Sequence, residues 1–340
     1  MAAHFGLDIS PSSIKLIQAE KTGQGYLLKA FGETVVALNL NSRIERDQML
    51  AASAIKKLVV DSKVTTKDVV IAMPESQVYS RVIELPSLNE KELESAIKYE
   101  AEQYIPVPLD QVQIQHVILK VPPKGAESAK MEILLIAAQQ QAIEHLEQVV
   151  VMAGLTPVAL ETELLAILRA VSPQIDKSGL LIDIGQNSTD LAVVLDGSLK
   201  QVYTIGSGGA ALTRAVASTL SLQLPQAEQC KQTYGLDKTQ LEGKVAAALF
   251  NPLEVVISQI KRSLSFVEQK YPKMSLRKAV ITGGSALIPN MSAYLADKLG
   301  LEVLLGDPFY TFSRDKTFPE PLIRVSPRFA TAVGLAIREG

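Results

Sequence analysis

Apolar residues recur with the period of a strand in some stretches of the chain and with the period of a helix in others. This alternation is typical of α/β lobes, in which helices cover sheets. The first half is predicted to form strands and a helix in the order 4–9, 14–19, 26–36, helix 42–61 and strand 69–73. The second half repeats this order with strands 180–184, 190–195 and 200–205, helices 209–219, 225–234 and 252–269, and strand 278–282.

A separate unit is predicted to interrupt the first half over residues 79–138. Its helix is expected over 89–104, where Asn89 and Glu92 have the spacing of a capping box. Pro106 ends this helix, because proline lacks the backbone N–H that a helix needs. The strands of the unit are expected over 80–85, 113–121 and 131–138. Helices over 140–153 and 163–171 lead into the second half.

The two halves share a weak internal repeat. Residues 5–16 align without gaps on residues 180–191, which matches Asp8 with Asp183 at an offset of 175 residues. Each copy has an apolar strand, an aspartate, a turn of hydroxyl residues or glycine, and a second strand. Because the offset is close to half of 340 residues, the repeat predicts a duplicated lobe. Chance similarity between two common turns is the alternative.

The two turns contain the residue types that bind phosphate. Glycine and serine expose backbone N–H groups and hydroxyls, so two facing turns would clamp a polyphosphate. Asp8 and Asp183 suit Mg²⁺ held through water, because this ion keeps several waters and takes few carboxylates. Lys15 would donate to a phosphate. Taken singly, each aspartate is better explained as a turn former, and Lys15 as a solvated residue at the end of a strand.

Glycine-rich turns farther along the chain suggest a place for a nucleoside. Gly283, Gly284 and Ser285 lie between a predicted strand and a predicted helix, where missing side chains would let a flat ring approach the backbone. Residues 206–211 match the G-x-G-x-x-A dinucleotide motif, but they follow the third strand of a meander rather than the first strand of a βαβ unit. The sequence has no P-loop motif, which argues against that class of enzyme.

Composition excludes several other classes. Lysine and arginine number 34 against 36 acidic residues, so a net charge of −2 gives no electrostatic reason to bind nucleic acid or an anionic membrane. The single cysteine, Cys230, excludes a disulfide framework, and the three histidines lack the spacing of metal ligands. No apolar run has the length of a membrane span and no secretion signal opens the chain, so a cytoplasmic location is expected.

Three motifs in order resemble those of the superfamily of actin, Hsp70 and sugar kinases. They are Gly6-Leu-Asp8 with Ser13-Ile-Lys15, Asp183-Ile-Gly185 with Ser188-Thr-Asp190, and Ile281-Thr-Gly283-Gly284-Ser-Ala. Within it, Tyr99-Glu-Ala-Glu-Gln-Tyr-Ile-Pro-Val-Pro-Leu-Asp110 resembles the PilM family, the cytoplasmic actin-like proteins of type IV pilus assembly. The resemblance covers nearly the whole chain. It implies an actin-like, ribonuclease H-like, duplicated two-lobe α/β fold with a nucleotide cleft and an FtsA-like inserted subdomain.

The resemblance also implies a division of the chain. The first lobe would take residues 1–78 and 139–172, with 330–340 packing back on it. The inserted subdomain would take 79–138, and the second lobe 173–329.

ATP and Mg²⁺ are the cofactors that the resemblance implies. The metal would be held through water by Asp8 and Asp183. The implied phosphate contacts are Ser10, Ser12, Ser13, Lys15, Gly185, Asn187, Ser188 and Thr189. The implied nucleoside contacts are Gly208, Gly209, Lys261, Arg262, Ser265, Gly283, Gly284 and Ser285.

ATP binding is expected, whereas ATP hydrolysis is expected to be slow or absent. Pro11 stands in the first phosphate turn, where the superfamily usually has glycine, and removes one backbone donor. The segment between the lobes carries an acidic or amide residue near the attacking water in the superfamily, and Glu161 is the better candidate here, ahead of Glu163. Ser258 replaces a glutamate of the Hsp70 nucleoside helix, so contacts to the ribose stay open.

The implied function is an ATP-binding adaptor that binds the cytoplasmic N-terminal peptide of the inner-membrane protein PilN. It would link the motor side of the pilus machine to the membrane platform, reaching the inner face of the membrane through its partners. The predicted peptide groove lies between the inserted subdomain and the first lobe, with residues 105–109 as a stiff apolar rim. A small-molecule kinase of the superfamily and an FtsA-like, self-associating filament protein are the two alternatives.

Overall fold

The computed structural model of the chain describes residues 4–39, 42, 44–122, 130–315 and 318–339. Its strands are β1 (Phe5–Ser10), β2 (Ser13–Thr22), β3 (Gly25–Val35), β4 (Asp68–Met73), β5 (Val78–Leu85), β6 (Val112–Lys120), β7 (Met131–Gln139), β8 (Thr156–Thr162), β9 (Gly179–Ile184), β10 (Thr189–Leu195), β11 (Ser198–Ile205), β12 (Lys278–Thr282) and β13 (Glu302–Leu305). Its helices are α1 (Glu45–Asp61), α2 (Glu90–Tyr104), α3 (Gln140–Met152), α4 (Glu163–Ile175), α5 (Gly209–Leu220), α6 (Leu224–Tyr234), α7 (Lys244–Lys270), α8 (Met291–Leu299), α9 (Glu320–Arg324) and α10 (Ala330–Ala336). Within these ranges, no helix combines the length and the apolar character needed to cross a membrane.

Two five-stranded sheets follow one plan. Their strand orders are β3-β2-β1-β4-β8 and β11-β10-β9-β12-β13. Each sheet has an antiparallel meander of three strands followed by two parallel strands. The central strands β1 and β9 are buried along most of their length, as expected for strands covered on both faces. The predicted duplication is therefore confirmed, and the units built on the two sheets are called the first and second lobe.

Helices α4 and α10 lie where the two lobes meet. A β-carbon added at Gly334 of α10 would lie 1.8 Å from the carbonyl oxygen of Ala166 of α4. One added at Gly6 of β1 would lie 2.2 Å from the carbonyl oxygen of Ala332. Backbones approach this closely only where side chains are missing. Apolar side chains of both helices share one core with strands of both sheets.

The inserted three-stranded sheet has the order β5-β7-β6 and is covered on one face by α2. The capping box of α2 is confirmed. The Asn89 side chain accepts from the Glu92 N–H at 3.1 Å, and the Glu92 carboxylate accepts from the Asn89 N–H at 3.0 Å. Residues 123–129 of the predicted insertion, like residues 1–3 and 340 of the predicted first lobe, lie outside the described residues. The residue boundaries of the three units stay predictions.

The other face of the insertion packs on the second lobe. Leu134 of β7 shares a core cluster with Val194 of β10 and Leu199 of β11. The chain enters and leaves the insertion through the first lobe, from β4 to α3. The insertion therefore contacts both lobes, which its position in the sequence did not indicate.

Several elements differ from the predictions. Helix α7 begins at Lys244 rather than at 252 and continues through Pro252, because Val245 and Leu249 of its first turns are buried in the core of the second lobe. Strand β8 was not predicted, since its residues lack a continuous apolar run and pair with β4 across a long sequence separation. Strand β13 and helix α9 were also not predicted, and α8 is the helix expected after Ser285, for which the sequence analysis set no bounds.

Candidate functional site

The turn between β1 and β2 brings an aspartate and a lysine together. Asp8 lies opposite Lys15 in the hairpin, and the Lys15 Nζ donates to Asp8 Oδ2 at 3.0 Å. The Ser10 hydroxyl donates to Asp8 Oδ1 at 2.8 Å. Because Asp8 and Lys15 are both buried, the ion pair is shielded from water and leaves this turn without net charge.

The matching turn between β9 and β10 holds two aspartates where the first holds an ion pair. Asp183 lies opposite Asp190. The Thr282 hydroxyl donates to Asp183 Oδ1 at 2.7 Å, and the Ser188 hydroxyl donates to Asp190 Oδ2 at 2.8 Å. Among the described atoms, Asp190 Oδ1 is buried and has no hydrogen-bond partner. Burial raises the pKa of Asp183 to about 7 and also raises the pKa of Asp190.

Glu75, which the sequence analysis missed, approaches the second hairpin from the first lobe. It follows β4, is buried, and its Oε1 accepts from the Leu164 N–H at 3.0 Å, in the first turn of α4. Burial, with a smaller effect of Asp190, raises the pKa of Glu75 to about 7. Its position at the carboxyl end of a strand parallel to β1 is the signal that would have found it.

Glu163, the first residue of α4, is the second glutamate at this place. Burial raises its pKa well above the usual value, and Asp8 and Asp190 raise it further. Carboxylates of both lobes are therefore close enough to raise one another's pKa, although no three of them among the described residues lie close enough together to hold a metal ion directly. The group is called the acidic cluster and consists of Asp8, Glu75, Glu163, Asp183 and Asp190.

The sequence predicts that Glu161 lies near the attacking water, but its carboxylate forms an ion pair with Arg169 instead. Both of its oxygens accept from Arg169, each at 2.7 Å. Arg169 also donates to the Gly334 carbonyl at 2.7 Å, so this group ties α4 to α10. Glu163 rather than Glu161 belongs to the acidic cluster, because the chain changes from strand to helix between them and the two side chains point in different directions.

Glycine-rich turns pack against the second hairpin. Gly283 has a φ of 86°, and a β-carbon there would lie 2.5 Å from the Ile184 carbonyl oxygen and 3.0 Å from Asp183 Oδ1. A β-carbon at Gly208 would lie 2.6 Å from the Gly185 carbonyl oxygen. The structure therefore brings three of the predicted motifs together at one end of the second sheet.

The start of α5 is occupied by the protein itself. The Gly209 N–H donates to the Gly185 carbonyl at 2.9 Å, and the Ala210 N–H donates to the Gln186 carbonyl at 2.8 Å. In a dinucleotide fold these N–H groups would bind a pyrophosphate. The preceding strand β11 is moreover an antiparallel edge strand. Both observations argue against the dinucleotide reading of residues 206–211.

Lys231 of α6 is a buried cation beside the predicted nucleoside turns, and the sequence analysis missed it. Its Nζ donates to the Gly209 carbonyl at 3.1 Å and to the Thr213 hydroxyl at 2.9 Å, and it pairs with Glu228 at 2.7 Å. A β-carbon at Gly209 would lie 2.6 Å from the Ser285 Oγ. Gly209, Ser285 and Lys231 therefore lie together, although 76 residues separate the first two in sequence.

The other residues predicted to contact the nucleotide differ in how far they are buried. Ser13 and Thr189 are buried, and the Thr189 hydroxyl donates to the Ser207 carbonyl at 2.8 Å. Their roles stay predictions, as do those of the exposed residues Ser12, Asn187, Lys261, Arg262 and Ser265.

Two solved structures resemble this fold over nearly its whole length. A chain of the PilM-PilN type IV pilus biogenesis complex is 27% identical, with a TM-score of 0.87 and coverage of 99% of this chain and 98% of that one. MreB5 of Spiroplasma citri bound to AMPPNP is 14% identical, with a TM-score of 0.54 and coverage of 97% and 94%. These likenesses confirm the actin-like, two-lobe α/β fold.

A curated relative and a family model also match this chain. The cell division protein FtsA of Neisseria meningitidis serogroup B is 25% identical over 243 residues, which are 63% of this chain and 56% of FtsA. This chain thus spans little more than half the length of that relative. The model of the family described as type IV pilus assembly protein PilM matches residues 6–340, which include both hairpins and the insertion. The chain therefore belongs to the PilM family of type IV pilus assembly proteins.

Proposed function

We propose that this protein is an ATP-binding adaptor of type IV pilus assembly. It binds ATP and Mg²⁺ between its lobes and binds the cytoplasmic N-terminal peptide of PilN. The family and the likeness to a chain of the PilM-PilN complex support this proposal. The adaptor acts at the inner face of the cytoplasmic membrane, where PilN and other pilus components hold it.

The single observation that carries the nucleotide part is the acidic cluster between two facing turns. Each lobe contributes a hairpin turn with an aspartate and a hydroxyl group. The donor set suits Mg²⁺, because carboxylate oxygens are the ligands this ion prefers, and Asp190 Oδ1 has no partner among the described atoms. Asp8 and Asp183 would hold the ion through its waters. When bound, the ion supplies positive charge to the phosphate groups.

Slow hydrolysis follows from the same geometry. The Lys15 Nζ is already bonded to Asp8, and Pro11 offers no N–H to the phosphates. Glu163 has the position to orient a water, but its raised pKa favours the protonated form, which is a poor proton acceptor.

A steady-state phosphate-release assay tests this part. Wild-type protein should release phosphate near the background rate, and Glu163→Gln and Glu161→Gln should not differ from it. Rapid turnover that Glu163→Gln abolishes and Glu161→Gln keeps would contradict slow hydrolysis and make the protein an ATPase.

Two cavities beside α3, one within the first lobe and one where the insertion meets the first lobe, support a peptide groove along α3. One, of about 30 Å³, lies between α1 and α3, with apolar walls and the polar residues Gln48 and His145. The other, of about 310 Å³, lies between residues 107–111 and the start of α3, and Gln140 and Glu144 line it. Because α3 lines both, we take it as the wall that a bound peptide follows.

Fluorescence anisotropy with a labelled synthetic peptide of the cognate PilN tail tests the adaptor function. Ala142→Trp fills the smaller cavity from α3 and should weaken binding at least about tenfold, since it removes the space for an anchor side chain. Val151→Trp is the matched control on the exposed face of the same helix and should leave binding within about twofold. Equal binding by both variants would place the groove elsewhere. A folded wild-type protein that does not bind the peptide would refute the adaptor function.

A further inference from the structure

Two glutamates of the insertion face each other across its sheet. Glu84 of β5 and Glu132 of β7 are directly opposite residues of an antiparallel pair. Like charges at such positions destabilise a sheet, so each carboxylate needs a cation nearby. The second lobe supplies one for each, although the chain joins the insertion only to the first lobe.

Lys200 of β11 supplies the cation for Glu132. Its Nζ bonds both oxygens of the Glu132 carboxylate, and the Ser198 hydroxyl donates to the same carboxylate at 2.8 Å. The Lys200 side chain is 4% exposed and the Glu132 side chain 13% exposed. Breaking such a shielded pair leaves a buried charge without a partner, which is strongly unfavourable. We call Ser198, Lys200 and Glu132 the insertion latch.

Lys270 of α7 supplies the cation for Glu84. The two lie 2.8 Å apart, and the hydrogen bond from Lys270 lowers the pKa of the Glu84 carboxyl. Both side chains are more exposed than those of the latch, so solvent screens this contact. The latch is therefore the stronger of the two contacts.

A break in the strand pairing places Lys200 at the latch. Val193 of β10 pairs with Gln201, whereas Val194 pairs with Leu199, so Lys200 is an extra residue in β11. Such a bulge turns the extra side chain away from the regular pattern and increases the local twist. In a regular strand the position would follow the alternation of its neighbours. The bulge thus directs this lysine to the insertion.

The two strands joined by the latch lead to the two candidate binding sites. Strand β11 begins at Ser198 and runs into the turn of residues 206–209, which packs on the second hairpin. Strand β7 carries Glu132 as its second residue and ends at Gln139, where α3 and the proposed peptide groove begin. A paired strand has an extended, pleated backbone whose two ends lie far apart, so β11 and β7 each span the distance between the latch and one of these sites.

We propose that the insertion latch couples the nucleotide cleft to the peptide groove, an inference that rests on the function proposed above. Ligand binding that displaces residues 206–209 displaces β11, and the latch passes this displacement to β7 and α3. Thermodynamic linkage makes the coupling reciprocal, so a ligand bound at α3 changes nucleotide affinity by the same factor.

Hydrogen exchange on the full chain without peptide tests the latch independently of PilN. Adding Mg-ATP should change amide exchange in β7 and α3 of the wild type. Glu132→Gln keeps the shape of the side chain, removes its charge and replaces one accepting oxygen with an NH2 group that cannot accept from Lys200 or Ser198. It should lose that change at α3 but keep it at residues 206–209. Lys244→Met is the control, because it removes an exposed lysine–glutamate pair of the second lobe that does not touch the insertion. Unaltered exchange at α3 in the wild type, or a response that survives Glu132→Gln, would refute the latch.

Peptide and nucleotide titrations then measure the coupling. In the wild type, Mg-ATP should change the Kd of the labelled PilN peptide at least about fivefold, and the peptide should change the Kd of ATP by the same factor. In Glu132→Gln both factors should fall below about twofold, with each ligand alone binding as before. Separate binding of both ligands with no mutual effect in the wild type would overturn the coupling and leave the adaptor function standing. No peptide binding at all would instead overturn the adaptor function, while the exchange experiment still decides the latch.

Discussion

The two hairpins of the internal repeat share a backbone and differ in charge. In the first, Asp8 lies opposite Lys15, and in the second, at the same register, Asp183 lies opposite Asp190. The first hairpin binds its aspartate with an internal lysine, whereas the second leaves one aspartate oxygen without a partner among the described atoms. One position of the repeat therefore carries opposite charges in the two lobes.

This difference indicates that the second lobe, rather than the first, needs a bound proton or cation to balance its charge. The charges of a buried ion pair balance each other, whereas a buried aspartate opposite a half-buried one needs a proton or a cation from outside. Glu75 and Glu163 add to that need, because both are close enough for Asp190 to raise their pKa. The charge state of the second hairpin is therefore set by pH and by what the cleft holds.

The largest effect is expected from removing the cation of the first hairpin. Its buried aspartate then has no counter-charge, as in the second hairpin. Lys15→Met leaves Asp8 buried near Glu163 without its cation and should lower the free energy of unfolding by about 3–5 kcal/mol at neutral pH. Urea unfolding followed by circular dichroism measures this, since the chain has no tryptophan to report by fluorescence.

The double variant Asp8→Asn with Lys15→Met is the control. It removes both charges and should recover most of the lost stability, because no buried charge is then left unpaired. A single variant Lys15→Met as stable as the wild type would show that the two hairpins do not differ in this way.

A smaller effect is expected from the pH dependence of the free protein. The folded state keeps a proton on Glu75 up to about pH 7, whereas the unfolded chain releases it near its ordinary pKa of 4.5. The folded state therefore binds more protons between these values, and the free energy of unfolding falls as the pH rises through them. Asp183, with its pKa also raised to about 7, acts in the same direction.

Glu75→Gln should remove one part of this dependence. It keeps an acceptor for the Leu164 N–H and should be more stable than the wild type by on the order of 3 kcal/mol at pH 8, with almost no difference near pH 4. Urea unfolding at the two pH values measures it. Asp190→Asn should flatten the curve as well, because it removes the charge opposite Asp183. If the free energy of unfolding depended on pH in the same way in Glu75→Gln and in the wild type, the raised pKa of Glu75 would be contradicted.

The smallest effect concerns nucleotide affinity. Asp183→Asn removes a carboxylate that holds the waters of Mg²⁺ and should weaken Mg-ATP binding about tenfold in calorimetric titrations. Asp8→Asn should weaken it less, because it also frees Lys15 to donate to a phosphate. Equal losses would mean that the two hairpins hold the nucleotide in the same way despite their different charges.

Local pattern was enough to predict much of this protein. The period of apolar residues predicted both meanders, and the capping box of α2 followed from Asn89 and Glu92 alone. The repeat predicted the duplication and matched Asp8 with Asp183, because hairpin register depends on the turn and on alternation within a few residues. The family motifs, each a short contiguous segment, led to the fold that the structural likenesses confirm.

Other features depended on residues that are distant in sequence. Glu163 rather than Glu161 joins the acidic cluster because α4 begins between them, and Glu75 joins it because β4 lies parallel to β1. Lys200 meets Glu132 only through a bulge and through the packing of the insertion on the second lobe. Periodicity tells which face of an element is apolar, but it does not tell which elements meet. Charge balance in a buried site is set by the elements that meet there, and only the tertiary structure brings them together.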